Sequence, residues 1–148
     1  MTNTVSVLND LIETSKDGEQ GFFKAAEDTT DLKLRTLFAT RSQECANAAS
    51  ELQSRVAALG GKPENRGSVA GALHRGWVDV KAALSTRDNH AILAECERGE
   101  DVAKKRYREA LDKELPADIR SLVELQFQGV LQNHDRIREL RDQYAPVK

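Results

Sequence analysis

The sequence predicts an all-α fold, a bundle of long helices, on three observations. Apolar residues recur at alternating spacings of three and four through most of the 148 residues. Three prolines and nine glycines leave long segments free of breakers, and no useful length of β-strand alternation occurs. With 39% hydrophobic residues but only four Phe, two Tyr and one Trp, the core must come largely from Leu, Val, Ile and Ala. Helical bundles are built this way, and the length suits one domain over residues 1–148.

Val5, Leu8, Ile12, Ser15, Glu19, Phe22 and Ala26 form one stripe, which predicts a first helix over 3–27. Gly18 and Gly21 interrupt it at a helix-propensity cost, so either close approach of another helix or a local irregularity is expected there. Asp28-Thr29-Thr30-Asp31 supplies stop and cap residues. A second helix then carries Leu34, Leu37, Arg41, Cys45, Ala48, Leu52, Val56 and Leu59 to the break "GGKPENRG" at 60–67. Ser68 can cap a shorter helix over 68–84, with Val69, Leu73, Trp77, Val80 and Leu84 on one face. "STRD" at 85–88 resembles a capping box and opens the next helix, which carries Ile92, Cys96, Ala103, Tyr107 and Ala110 and ends before Pro116. That proline suits the first turn of a last helix, through Val123, Phe127, Val130, His134 and Ile137 to about Tyr144.

Lengths decide the topology. Four helices of about 25 to 30 residues would each span roughly 40 Å. The links after the first and third are short, which makes those pairs antiparallel neighbours. The middle link, with its helix of about 17 residues, reaches roughly 25 Å and can carry the chain back along the bundle. The second and third long helices would then run parallel. This is the ferritin-like arrangement: a four-helix bundle with one long crossover that contains a fifth, shorter helix.

Di-metal proteins of that arrangement place a Glu on each of two helices and a Glu-x-x-His on each of the other two. Here Glu19, Glu44, Glu100 and His134 lie on the four apolar stripes at matching levels, so convergence in mid-bundle is expected. The motif is incomplete. Asn47 stands where a His should follow Glu44, and Leu131 stands where a Glu should precede His134. Two readings follow: a polar layer whose carboxylates bond Arg41, Tyr107 or His134, without a cofactor, or a reduced ligand set for iron or another divalent metal. His74 and Trp77 on the short helix are further candidates, the Trp as a plug that packs the crossover on the bundle. In "ECERGEDVAKKRY" (95–107), Glu95 and Glu97 are expected to be wet, Cys96 and Ala103 buried, and Glu100 and Tyr107 members of the inner layer.

A net charge of −2 lacks the basic footprint of a nucleic-acid binder. The basic run Lys104-Lys105-Arg106-Tyr107-Arg108 falls late in a helix, where cations offset the dipole. No segment approaches the roughly 20 apolar residues of a membrane span, and "MTNTVSVLND" lacks the features of a signal peptide. Cys45 and Cys96, far apart and outside any CxxC, are expected to be buried, reduced thiols of a cytoplasmic protein. An unknown protein partner or a homodimer is expected, and no larger assembly.

The stretches "LNDLIETSKDGEQGF", "LGGKPENRGSVAGALHRGW", "ILAECERGEDVAKKRYREAL" and "HDRIRELRDQY" resemble a family of bacterial, largely proteobacterial, ferritin-like bundles of unknown function. "HRGW" followed by "ERGED" is its most specific part. The resemblance implies the fold and the crossover and brings no activity with it. Two classes of function remain: a non-catalytic interaction or stress-associated bundle, and an iron- or manganese-binding protein or di-iron-type oxidase.

Overall fold

The computed structural model describes residues 3–66 and 88–145. The expected short helix over 68–84, with His74 and Trp77, lies outside them, as does Ser85. Among the described residues there are four helices and no strand. Helix α1 spans Thr4–Asp28, α2 Leu32–Ala58, α3 Asn89–Leu111 and α4 Ala117–Gln143.

Short polar side chains set the starts. Asn3 Oδ1 accepts from the Ser6 amide at 3.1 Å, and Asp31 Oδ1 from the Leu34 amide at 3.0 Å. Asp88 does the same for α3, accepting from His90 N at 3.0 Å and Ala91 N at 3.4 Å. Asp88 is thus itself the cap, three residues after the cap expected from a box in "STRD". Pro116 stands one residue ahead of α4, at the cap, where its carbonyl accepts from Arg120 N at 2.8 Å. Helix α2 ends in a Schellman turn. Gly60 takes φ +80°, its amide bonds Ala57 O at 3.0 Å, and the Gly61 amide bonds Val56 O at 3.0 Å. Leu59, placed on the apolar stripe by its spacing, sits at this turn and is 46% exposed.

Hydrogen bonds between helices fix their directions. Ser42 bonds Glu19 O, and Arg35 bonds Ala26 O, so α1 and α2 are antiparallel. Tyr107 meets Ser15 and Asn89 meets Thr29, which makes α1 and α3 antiparallel too. Gln126 meets Ala48 and Arg55 meets Asp118, so α4 runs against α2. Helices α2 and α3 therefore start at the same end. The parallel pair expected from link lengths is present. On leaving α2, residues 61–64 follow α1, with Gly61 against Val5, Lys62 O bonded to Asn9 Nδ2 and Glu64 N to Asn9 Oδ1.

The core falls into two apolar clusters. Phe22, Phe38, Ile92, Leu93 and Ile137 fill one end, and Leu8, Ile12, Leu52, Val56 and Val123 fill the other. Gly18 lets α1 approach α2: a Cβ there would lie 2.9 Å from Cys45 Sγ. Between the clusters lies a polar layer.

Candidate functional site

Each long helix contributes to this layer because polar residues occupy positions on its buried stripe. From α2, Arg41 is 8% exposed, and from α3, Glu100 is 2% exposed. Arg41 Nε lies 3.4 Å from Glu100 Oε1, and Nη2 lies 3.4 Å from Oε2. The fork is bidentate but longer than the roughly 2.7–2.9 Å of a closed charge-assisted bond. Arg41 Nη1 also reaches Glu44 Oε1 at 3.5 Å. Burial opposes the guanidinium charge, but Glu100, Cys45 and Glu44 outweigh it and raise the Arg41 pKa. Burial raises the Glu100 carboxyl pKa, and Arg41, Asn133 and His134 offset only part of that.

A second set of bonds links all four helices. The Tyr107 hydroxyl donates to Gln126 Oε1 at 2.8 Å and lies 3.3 Å from Ser15 Oγ. Gln126 Nε2 donates to Ala48 O at 3.3 Å. Burial pushes the Tyr107 pKa up, so the phenol stays a neutral donor. Phe127 stacks on its ring at 6.4 Å between centroids, and Arg108 covers Phe127 at 6.0 Å.

His134, 4% exposed, joins α4 to α3. Its Nε2 lies 2.6 Å from Asp101 Oδ1 and 3.7 Å from Glu97 Oε2, and its Nδ1 lies 3.2 Å from Asp135 Oδ1. Carboxylates only accept, so an imidazolium can bond on both sides and a neutral imidazole on one. Glu97 is also paired with Arg141. The expectation that Glu97 is wet is therefore corrected: it is 8% exposed, because Arg141 and His134 reach it from α4. Glu95, whose side chain is 14% exposed and paired with Arg98 at 3.1 Å, is also largely covered.

The four carboxylate and imidazole positions named from the sequence thus separate. Glu100 and His134 are buried in the layer with different immediate partners. The Glu44 side chain is 56% exposed and meets Glu100 only through Arg41. The Glu19 side chain is 35% exposed and pairs with Lys16 at 3.7 Å. Asn47 is exposed and bonded to Gln43. Among the described residues, no group of three or more His, Cys, Asp or Glu side chains is disposed to hold a metal ion. The cation opposite Glu100 is a guanidinium. Asp101 and Gln126 were not singled out by sequence reasoning. Asp101 stands four residues after Glu97, a same-face spacing that could have marked it. Both thiols are buried; burial pushes Cys45 up to about 12 and Cys96 well above its ordinary value.

Among the described residues, the layer opens on one side into a cleft. This cleft of about 410 Å³ lies between α2 and α4 around the Gln126–Ala48 bond, and its lining includes Arg41, Glu100, Tyr107, Leu37, Leu125 and Gly129.

A model of the family described as a domain of unknown function, DUF2383, matches residues 3–113. The chain belongs to the DUF2383 family. The matched region contains Arg41, Glu100, Tyr107, Glu97 and Asp101, and it stops before α4, which supplies Gln126 and His134. Within this DUF2383 chain, the partners of the polar layer thus come partly from beyond the matched region. No curated protein matches the chain. Among the described residues, no helix is long and apolar enough to cross a membrane.

Proposed function

We propose that this DUF2383 protein is a non-catalytic bundle of ferritin-like arrangement that works by binding another macromolecule in the bacterial cytoplasm. The observation that carries this reading is the Arg41–Glu100 pair. In a di-metal bundle the buried carboxylates of mid-bundle face cations that can be exchanged. Here Glu100, 2% exposed, faces a guanidinium fixed to the chain, with two contacts at 3.4 Å. Asn47 and Leu131 supply no ligand, and Glu44 and Glu19 turn toward solvent and Lys16. The Arg41–Glu100 pair neutralises itself, which fits a structural role and leaves the outer surfaces for recognition.

A second reading, an iron- or manganese-binding protein or a di-iron-type oxidase with few ligands, is favoured by the approach of Asp101 and Glu97 to His134. The two readings separate in one experiment. The protein is expressed in iron- and manganese-supplemented medium, purified without chelator, and analysed for metal content and absorbance. Sub-stoichiometric metal and no oxo-bridged di-ferric band support the interaction reading. Two irons per chain would overturn it.

A further inference from the structure

We infer that the α2–α4 cleft is a dimer interface, occupied by α4 of a second copy of this chain in two-fold antiparallel register. Two neighbouring features of α4 carry the inference. Leu125 projects from the lip of the cleft with 68% of its surface exposed, although leucine gains by burial. One turn later, Gly129 lines the same cleft in the middle of a helix, where glycine is disfavoured. Among the described residues nothing accounts for that glycine, because a Cβ there would meet no atom within 4 Å. Among the described residues, Gly129 thus makes a hole that no side chain fills, beside a knob that none buries.

A knob and a hole one turn apart on one helix are self-complementary under a two-fold axis between them. With the axis midway, Leu125 enters the partner's cleft at its Gly129, and the partner's leucine enters this one. The same register has further consequences. Gln132 comes opposite Leu122 at the cleft wall. Arg136, which lines the cleft, comes opposite Asp118, whose side chain is 71% exposed and would be shared with Arg55 of its own chain, 3.1 Å away. Opposite charges meet twice, once on each side of the axis, and no like charges on this stripe are brought face to face. The Arg41–Glu100 pair beneath would be sealed from water by the inserted leucines, which strengthens its electrostatics. The inference deepens the interaction reading and rests on it for its occupant. Its test reads mass, whereas that reading is tested by metal content, so either can fail alone.

The test is sedimentation equilibrium of the full chain from low micromolar to near-millimolar concentration, with circular dichroism as a fold control. The wild type is expected to shift from the mass of one chain to that of two. Leu125→Asp and Gly129→Leu are each expected to weaken the dimer by roughly 30-fold or more, the effect of losing an interface anchor. Among the described residues neither position is packed inside its own chain, so the helical signal should not change. A mixture of Leu125→Cys and Gly129→Cys chains should form a disulfide faster than either variant alone. A wild type that stays monomeric throughout would overturn the inference and leave the cleft to a small solute or a different chain. A dimer indifferent to both Leu125→Asp and Gly129→Leu would place the interface elsewhere and overturn it too.

Discussion

Replacing Arg41 with Met tests the polar layer most directly. The Met side chain retains much of the apolar stem that Arg41 packs and removes only the head group. What remains is the Glu100 carboxylate at 2% exposure, without its counter-ion. At 3.4 Å and an effective dielectric of about 20, the direct attraction is roughly 5 kcal/mol. The contacts are long, and the half-exposed Glu44 contributes little beyond the pair, so the expected loss is about 3 kcal/mol, near the lower end for breaking a buried pair. For a chain of this length that corresponds to a melting-temperature drop of about 6–12 °C. The loss should also depend on pH. Burial already raises the Glu100 pKa above 4.5, and removing Arg41 raises it further. A carboxyl with a raised folded-state pKa contributes stability that is fully present below its unfolded pKa and lost as pH rises through the folded one. The gap between variant and wild type should therefore be widest at neutral pH and narrow on acidification toward about 4.5, as Glu100 takes up a proton in the variant first. Adding Glu100→Gln should recover most of the loss at neutral pH, because an amide needs no counter-ion. Urea unfolding followed by circular dichroism at several pH values measures all three. A loss under about 1 kcal/mol at pH 7, a loss independent of pH, or no rescue by Gln would refute this account of the layer.

Gly18→Ala should destabilise the fold by about 1 kcal/mol net, an overpacking cost against Cys45 Sγ partly offset by better helix propensity. In a Cys45→Ala background the same change should become neutral or stabilising, and a penalty that persists there would reject the contact as its cause. Tyr144→Phe should raise the Asp31 pKa, which the hydrogen bond from Tyr144 and that from the Leu34 amide hold down. Because a lowered carboxyl pKa contributes stability above its unfolded value and loses it as pH falls through the folded one, the variant should unfold at a higher pH during acid titration, and coincident titrations would refute the link. Cys45 and Cys96 should resist a disulfide reagent at neutral pH in the folded protein and react together once urea unfolds it; rapid labelling of either in the native state would contradict their burial.

Local chemistry made the elements readable in the sequence. Spacings of three and four gave the four long helices because a helix repeats every 3.6 residues. Asn3, Asp31 and Asp88 could be expected near helix starts because short side chains accept from unpaired amides. The parallel course of α2 and α3 was also legible, since only a long connection can return the chain to the starting end. Periodicity also located Arg41, Glu100, Tyr107 and His134 on inward stripes. It could not say how far each facing helix stands or what it brings. Glu44 shares the stripe of Arg41 yet is 56% exposed, because α2 and α4 open into a cleft at its level. Glu97 lies off the expected inner row yet is 8% exposed, because Arg141 and His134 reach over from α4. A helix's own sequence determines which side a charged residue occupies. Whether that charge is buried depends on a counter-ion and covering surface from another helix, and only the tertiary structure decides that.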